Sequence, residues 1–361
     1  MGTHKVVKLI PKTAFHIGED MDLERTEDFI HSDTLFSAMC RISDLYLGKH
    51  HYQEFIKPFI DDNPPFLLSS LFPYVEGIDK TIYFFPKPYI FKGFVEKYPK
   101  NIKAFKKIRF VSKDIFDAYL QNDDKFLEEQ FQTKEGQVIE DNLIQGEQAW
   151  MSESERRVIP EVDNIWSELQ EPRVVIDRIT KDTSIFHYSR IHFHKKAGLY
   201  LLIKVIEKEN AQEILKNILV RLRYLGDTGL GGERSSGCGQ FVIKLDDNQN
   251  PYQIELADTS RASERFITLS LLLPKEEEIR GGIIKKDSYY EIINRRGWIT
   301  NFSYLRKSIN MISEGSVLHT IKFENNKSTY GKIENITPKI LKNEKPNYKI
   351  HRYGYGYPIF F

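Results

Sequence analysis

The chain has 361 residues, 52 of them basic and 51 acidic, for a formal net charge of +1, with 40% hydrophobic and 13% aromatic residues. Such a composition excludes a disordered chain, the length suits two domains with cores of their own, and the charge balance argues against a protein that coats DNA. Two cysteines, Cys40 and Cys238, are too few for a disulfide framework or a cysteine metal site and suit a reducing cytoplasm; no apolar run nears ~18 residues, and the N-terminus lacks a signal-peptide pattern.

Lys5 to Ile10 is a β-branched run closed by Pro11, the first predicted strand. After a polar loop, His31, Ser32 and Asp33 precede Leu35, Phe36, Met39, Ile42 and Tyr46, a helical stripe for which Ser32 or Asp33 is a suitable N-cap. The partial positive charge at that helix start makes His31 and Ser32 candidate phosphate contacts. Ser69 to Tyr74 and Thr81 to Pro88 read as two strands around a Glu76, Gly77 turn. Their aromatics Phe72, Tyr74, Tyr83, Phe84 and Phe85 divide between core and a stacking platform for bases.

From Lys92 to Pro172 the charge is segregated. Between Lys92 and Lys113 eight basic residues meet one acidic; between Asn122 and Glu171 fourteen acidic residues meet four basic. The first surface suits a polyanion, the second solvent or a basic protein. The apolar residues here are scattered, so the stretch reads as an insertion, with helices around Phe116 to Phe131 and Asn164 to Leu169.

Strand character returns at Arg173 to Ile179, Ser184 to Phe193 and Gly198 to Ile206. A helix follows from Ala211, with Ile214, Leu215, Ile218, Leu219, Leu222 and Leu225 at helical spacing, ending at Gly226. Six of the 21 glycines then fall between Gly226 and Gly239, in YLGDTGLGGERSSGCGQFV (Tyr224 to Val242), before a strand at Phe241 to Ile243. Glycine at that density fits backbone that enters positive φ or lies close against another chain. The order helix, glycine loop, strand reverses that of nucleotide-phosphate loops, and Cys238 stands where a Walker lysine belongs. What remains is a loop offering amides, hydroxyls and a guanidinium to a polyanion.

Without the insertion, this half is close to a ferredoxin-like split β-α-β. The second half repeats the scheme: a strand at Arg265 to Leu273, a hairpin within Tyr289 to Ile299 turning at Arg295 to Gly297, a helix at Phe302 to Ile312, a strand at Ser316 to Phe323, and the ending IHRYGYGYPIFF. The expected architecture is α+β: two ferredoxin-like (RRM-like) modules with antiparallel sheets and glycine-rich loops, over 1–258 and 259–361, with the charged insertion at about 92–172.

HSDTLFSAM, SSLFPY, FPKP (Phe85 to Pro88), VVIDRIT (Val174 to Thr180), LGDTGLGGERSSGCGQF and HRYGYGYPI together resemble the RAMP superfamily of CRISPR proteins. Within it they are similar to the type III-A (Csm-type) subunit that caps the 5′ end of the guide RNA. That resemblance implies RNA binding without catalysis, cofactor or metal. It also implies three partners: the single-stranded 5′ tag of the crRNA, a large polymerase-like subunit and a backbone RAMP subunit. Backbone approach is then assigned to Gly229, Gly231, Gly232, Gly237 and Gly239, and phosphate contact to Arg234, Ser235 and Ser236. Arg178 is expected near the same groove, with an ion pair to Asp177 or Asp182 as its other reading. Phe186, Tyr188 and Arg190 are further RNA candidates, and Arg352, Tyr353, Gly354 and Tyr355 are placed at the second loop.

Related RAMP proteins cleave repeat RNA without metal, through His, Tyr or Lys, so a nuclease is the competing reading. His192 and His194 share a strand face, but two ligands are too few for zinc.

Overall fold

The computed structural model describes residues 2–18, 24, 26–89, 101–176, 178–180, 182–259, 263–299, 304–322, 329–344 and 349–361. Lys92, Lys97, Lys100, Asp177 and Phe302, which figured in the expectations above, lie outside them.

The first half is built on β1 (Gly2–Pro11), in which Val6, Val7 and Leu9 are buried. The helix α1 (Ser32–Ile42) buries Leu35, Phe36, Met39 and Ile42, then runs into a π-helical turn at Ser43–Leu47. After α2 (Lys49–Ile60) come β2 (Phe66–Leu68), β3 (Phe72–Glu76) and β4 (Thr81–Pro86). The aromatics of β3 and β4 are core: Phe72, Tyr74, Phe84 and Phe85 are buried and Tyr83 packs partly buried against them, so no stacking platform forms there.

The insertion adds α3 (Ile102–Lys107), β5 (Phe110–Ser112), α4 (Lys113–Leu120), α5 (Asp124–Phe131), β6 (Leu143–Ile144), β7 (Ala149–Trp150) and α6 (Glu153–Arg156). It extends the main sheet instead of sitting apart, since β4 pairs with β5, β5 with β7 and β7 with β6. Phe116 stacks on Phe85 at 4.5 Å, and Phe131 meets Trp150 at 5.2 Å. The apolar residues that look scattered in sequence are gathered by short elements into the same core. Part of the basic run is neutralised locally: Lys107 pairs with Glu147, Lys113 with Asp117 and Arg109 with Asp28.

A long hairpin follows, β8 (Trp166–Ile176) and β9 (Thr183–Phe193). Asn164 to Leu169, expected as helix, opens β8 instead. Only the hairpin's base is buried; Val174, Val175, Ile176, Ile179 and Ile185 are exposed toward its end. The half closes with β10 (Ala197–Val205), α7 (Ala211–Thr228), β11 (Phe241–Lys244) and β12 (Tyr252–Leu256). The strands run β11-β1-β10-β3-β4, every neighbouring pair antiparallel. Gly226 lets α7 lie directly on β11: a Cβ there would sit 2.3 Å from the Phe241 carbonyl oxygen.

In the second half β13 (Arg265–Thr268) is followed by α8 (Glu276–Arg280), the pair β14 (Ile292–Arg295) and β15 (Ile309–Ile312), and β16 (Val317–His319). Then come β17 (Glu334–Asn335), α9 (Lys339–Glu344), β18 (His351–Arg352) and β19 (Pro358–Phe360). A three-stranded antiparallel sheet runs β16-β13-β19, with Tyr289 bridged to Val317 on its outer side. Two expectations fail here. Residues 309–312 form a strand instead of a helix, and Trp298 bridges Leu305, so the pairing continues past Arg295 to Gly297 and the hairpin does not turn there. The main core spans both halves, because Tyr353, Tyr355, Tyr357 and Ile359 pack into the cluster that holds β1 and α1, beside a smaller cluster around Phe266 and Leu318.

Candidate nucleic-acid interface

Between the halves lies a cleft of about 1050 Å³. One wall is α1, which presents Asp33, Ser37 and Arg41 at four-residue spacing beside its buried stripe. The glycine loop supplies Gly229 to Gly232 and Arg234. The opposite wall is the β14–β15 hairpin, with Arg295, Arg296, Trp298 and Arg306, together with Lys349 to Arg352. Arg41, Lys49, Arg234, Arg295, Arg296, Arg306, Lys349 and Arg352 thus line the cleft against Glu27, Asp33 and Asp44. A concave surface with that imbalance focuses a positive potential suited to a polyanion.

Asp33 organises the inner end. Its buried carboxylate accepts from Arg352 Nη1 at 2.6 Å, and from Arg295 Nε and Nη2 at 3.3 and 3.2 Å. One carboxylate therefore serves two buried guanidinium groups. Arg295's proton affinity falls, through burial first and then through the charge of Arg352. Arg306 Nη1 donates to Ser37 Oγ at 3.3 Å, fastening the hairpin to α1 a second time.

The glycine loop folds onto the chain segment after β1. Gly232 N–H donates to the His16 carbonyl and Gly239 N–H to that of Ala14, both at 2.8 Å; Gly229 and Gly237 N–H donate to Leu225 and Arg234 carbonyls. The expectation that the clustered glycines turn their amides outward is therefore corrected for these four. Their freedom serves tight packing: Gly239, at φ +81°, would bring a Cβ to 2.1 Å from the Leu230 carbonyl oxygen. Gly231 and Gly232 still line the cleft, with half-buried Arg234; Ser235 and Ser236 are exposed beside it.

Several other candidates move from surface to interior. His31 is buried, its Nδ1 2.8 Å from Glu314 Oε1 and its Nε2 3.4 Å from Glu27, while Ser70 Oγ also donates to Glu314. Burial alone would lower the His31 pKa, but the two carboxylates hold it well above its ordinary value. Ser32 is fully buried, its hydroxyl accepting from Leu271 N–H and its amide donating to Ser70 Oγ. His31 itself is the N-cap residue, so neither Ser32 nor Asp33 plays that part. His31 and Ser32 thus make hydrogen bonds that join the halves.

Tyr188 is buried, with its hydroxyl 3.1 Å from Cys238 Sγ and Arg173 over its ring at 4.6 Å. Arg190 is half-buried and pairs with Glu171, and Phe186 is half-buried. Arg178 is exposed past the end of β8. Tyr353 and Tyr355 are core residues whose hydroxyls bind the Leu68 amide and the Phe59 carbonyl, and Gly354 is buried against Leu273 and Gly331. Of the C-terminal candidates only Arg352 borders the cleft. Arg41, Arg295, Arg296, Trp298, Arg306 and Lys349 went unanticipated. The four-residue step from Asp33 through Ser37 to Arg41 was a usable signal for the first of them.

Among the described residues no cluster of His, Cys, Asp and Glu forms a metal cage, and no helix is long and apolar enough to cross a membrane. Residues 261–360 match the model of the CRISPR Csm4 C-terminal domain. The "CRISPR system Cms protein Csm4" of Methanocaldococcus jannaschii is 27% identical, over 97% of this chain and 96% of that one. The protein of the same name from Thermococcus onnurineus is 25% identical, over 86% of each chain. The chain is thus similar to Csm4 proteins over nearly its whole length. The fold agrees with that of chains in solved type III-A assemblies. One is a chain of the Csm3-Csm4 subcomplex in the type III-A CRISPR-Cas interference complex, with TM-score 0.60, 20% identity and 99% of each chain covered. Another is a chain of a Csm1-Csm4 cassette in complex with cA4, with TM-score 0.57, 20% identity, and 99% of this chain and 98% of that one covered.

Proposed function

We propose that this chain is a non-catalytic, cytoplasmic RNA-binding subunit of a type III-A CRISPR interference complex. It holds the repeat-derived 5′ tag of the crRNA in the junction cleft and links the large polymerase-like subunit to the backbone RAMP subunits. Similarity to Csm4 proteins supports the assembly role, since similar chains are found in Csm1-Csm4 and Csm3-Csm4 assemblies. The observation that carries RNA capture is the cleft itself, where a glycine loop and a cluster of guanidinium groups converge around a single buried Asp33. Such a groove tracks phosphates, and exposed Trp298 on its wall offers a face for a base.

Two ferredoxin-like modules, over 1–258 and 259–361, complete the reading. In the first, the order β11-β1-β10-β3, with α1 and α7 in the two crossovers, is the 4-1-3-2 order of that fold. In the second, β19-β13-β16 with Tyr289 outside repeats it with shortened helices.

The test is retention of a labelled single-stranded RNA by the full chain, followed as salt is raised. Retention should fall with salt, the RNA should stay intact with and without chelator, and Arg296→Glu or Lys349→Glu at exposed cleft positions should weaken binding without unfolding the protein. Specific cuts in the RNA would overturn the non-catalytic reading, and no retention at low salt would overturn RNA capture.

A further inference from the structure

The glycine loop has a second face. Between it and the end of α1 lies a cavity of about 420 Å³, lined by Ala38, Arg41, Tyr46, Leu225, Gly231 and Arg234 among others. Its size falls within the ~300–1,000 Å³ of small-ligand sites. Arg41 and Arg234 also line the junction cleft, so their guanidinium groups stand at the passage between the two spaces.

Both arginines are half-buried, and among the described residues neither forms an ion pair with a carboxylate. Asp44, one turn beyond Arg41, makes none with it. Glu233, next to Arg234 in the chain and itself on the cavity lining, is paired with Arg173 and accepts from Ser236. Arg41 Nη1 is buried without a hydrogen-bond partner. Like charges held close and partly out of water repel one another unless an anion comes between them. Their mutual influence is visible in Arg234, whose proton affinity is lowered by burial first and by Arg41 next. At the rim, Tyr46 is 54% exposed and stacks on Tyr224, with centroids 5.7 Å apart and planes at 26°. A wet, stacked aromatic pair beside an unneutralised guanidinium pair matches the two parts of a nucleotide.

We propose that this cavity is a single-nucleotide subsite in which Arg41 and Arg234 clamp one phosphate of an RNA strand and Tyr46, backed by Tyr224, stacks the attached base. The proposal rests on the RNA-binding reading and extends it past the junction: the strand leaves the cleft between the two arginines and places one nucleotide behind the glycine loop. Ala38, Gly231 and Gly232, the smallest residues on the lining, leave room for the backbone to pass.

The experiment uses the full chain and short single-stranded RNAs carrying 2-aminopurine at one position after another. At one position the parent protein should change the probe's emission by stacking; Tyr46→Phe should retain the change and Tyr46→Ala should abolish it. Arg41→Ala and Arg234→Ala should each weaken binding about tenfold and lower the slope of log affinity against log salt by about 0.7. Because both arginines hold one phosphate, the double variant should bind almost as well as either single one. Arg296→Ala should weaken binding while leaving the emission change in place. A parent that binds RNA and loses it on Arg296→Glu, but ignores Arg41→Ala and Tyr46→Ala, overturns the subsite alone. A parent that retains no RNA overturns the subsite together with the reading beneath it.

Discussion

Arg352 Nη1 donates to Asp33 Oδ2 at 2.6 Å, joining residues 319 positions apart, both 3% exposed at the side chain. With Arg295 donating to both of its oxygens, this carboxylate places a negative charge between two arginines buried between the halves. Asp33→Asn preserves shape and removes that charge. Losing one partner of a buried ionic group costs about 3–5 kcal/mol, and urea denaturation should show a loss of that order. Ser37→Ala, which only releases the half-buried Arg306 contact, should cost less than about 1 kcal/mol.

His31 gives the same junction a pH dependence. Its proton affinity is raised on folding by Glu314 and Glu27 against the cost of burial, so its contribution is complete below its ordinary pKa of 6.5 and is lost as pH climbs through the folded value. Glu314 behaves oppositely. Burial would raise it, but His31 and the hydrogen bonds hold it below its ordinary 4.5, so its contribution is present above that value and is lost as pH falls through the folded one. Unfolding free energy measured from pH 4 to 9 should therefore decline on the alkaline side of about 6.5. His31→Gln should flatten that decline, and an unchanged alkaline slope would refute the assignment.

The strands of the first half were legible because β1, β3, β4, β9 and β10 carry runs bounded by turn residues, and α7 shows an unbroken apolar stripe. The insertion misled for a physical reason. Its strands are two or three residues long, too short to display alternation, and they become strands by pairing in a series that starts from β4. The glycine loop stands out in the sequence and does line the cleft, whereas the polar residues elsewhere in the sequence do not disclose their place. His31, Ser32 and the C-terminal tyrosines look like exposed recognition residues, yet they supply the hydrogen bonds that a buried junction between two halves demands. A single sequence offers no sign that a polar side chain will be matched by one some 280 residues away, as His31 is by Glu314. Arg295 to Gly297 reads as a turn, which hides the cleft-facing charge of Arg295 and Arg296.

Two glycines of the loop should respond differently to a methyl group. At Gly237, φ is +83° but the space is open, so Gly237→Ala should cost only the left-handed backbone penalty of about 1–2 kcal/mol. At Gly239 the same penalty is joined by a Cβ 2.1 Å from the Leu230 carbonyl oxygen. Gly239→Ala should be the more destabilising of the two by about 2 kcal/mol or more, and should also weaken RNA retention, because Leu230 and its neighbours form the cleft wall. Equal denaturation midpoints for the two variants would show that the loop yields more readily than its packing implies.

The tyrosines near the C-terminus separate a structural role from a binding one. Tyr355 Oη donates to the Phe59 carbonyl at 2.9 Å and lies 3.2 Å from Asp62, and Tyr353 Oη accepts from the Leu68 amide at 3.1 Å. Removing either hydroxyl leaves a buried backbone group without its partner, so Tyr355→Phe and Tyr353→Phe should each lose about 1–3 kcal/mol in denaturant unfolding. Both rings are fully buried and face α1 and α2, away from the arginine-lined wall. RNA affinity, measured where each variant is still folded, should equal that of the parent. A drop in affinity at unchanged stability would return these residues to the interface that their sequence suggests.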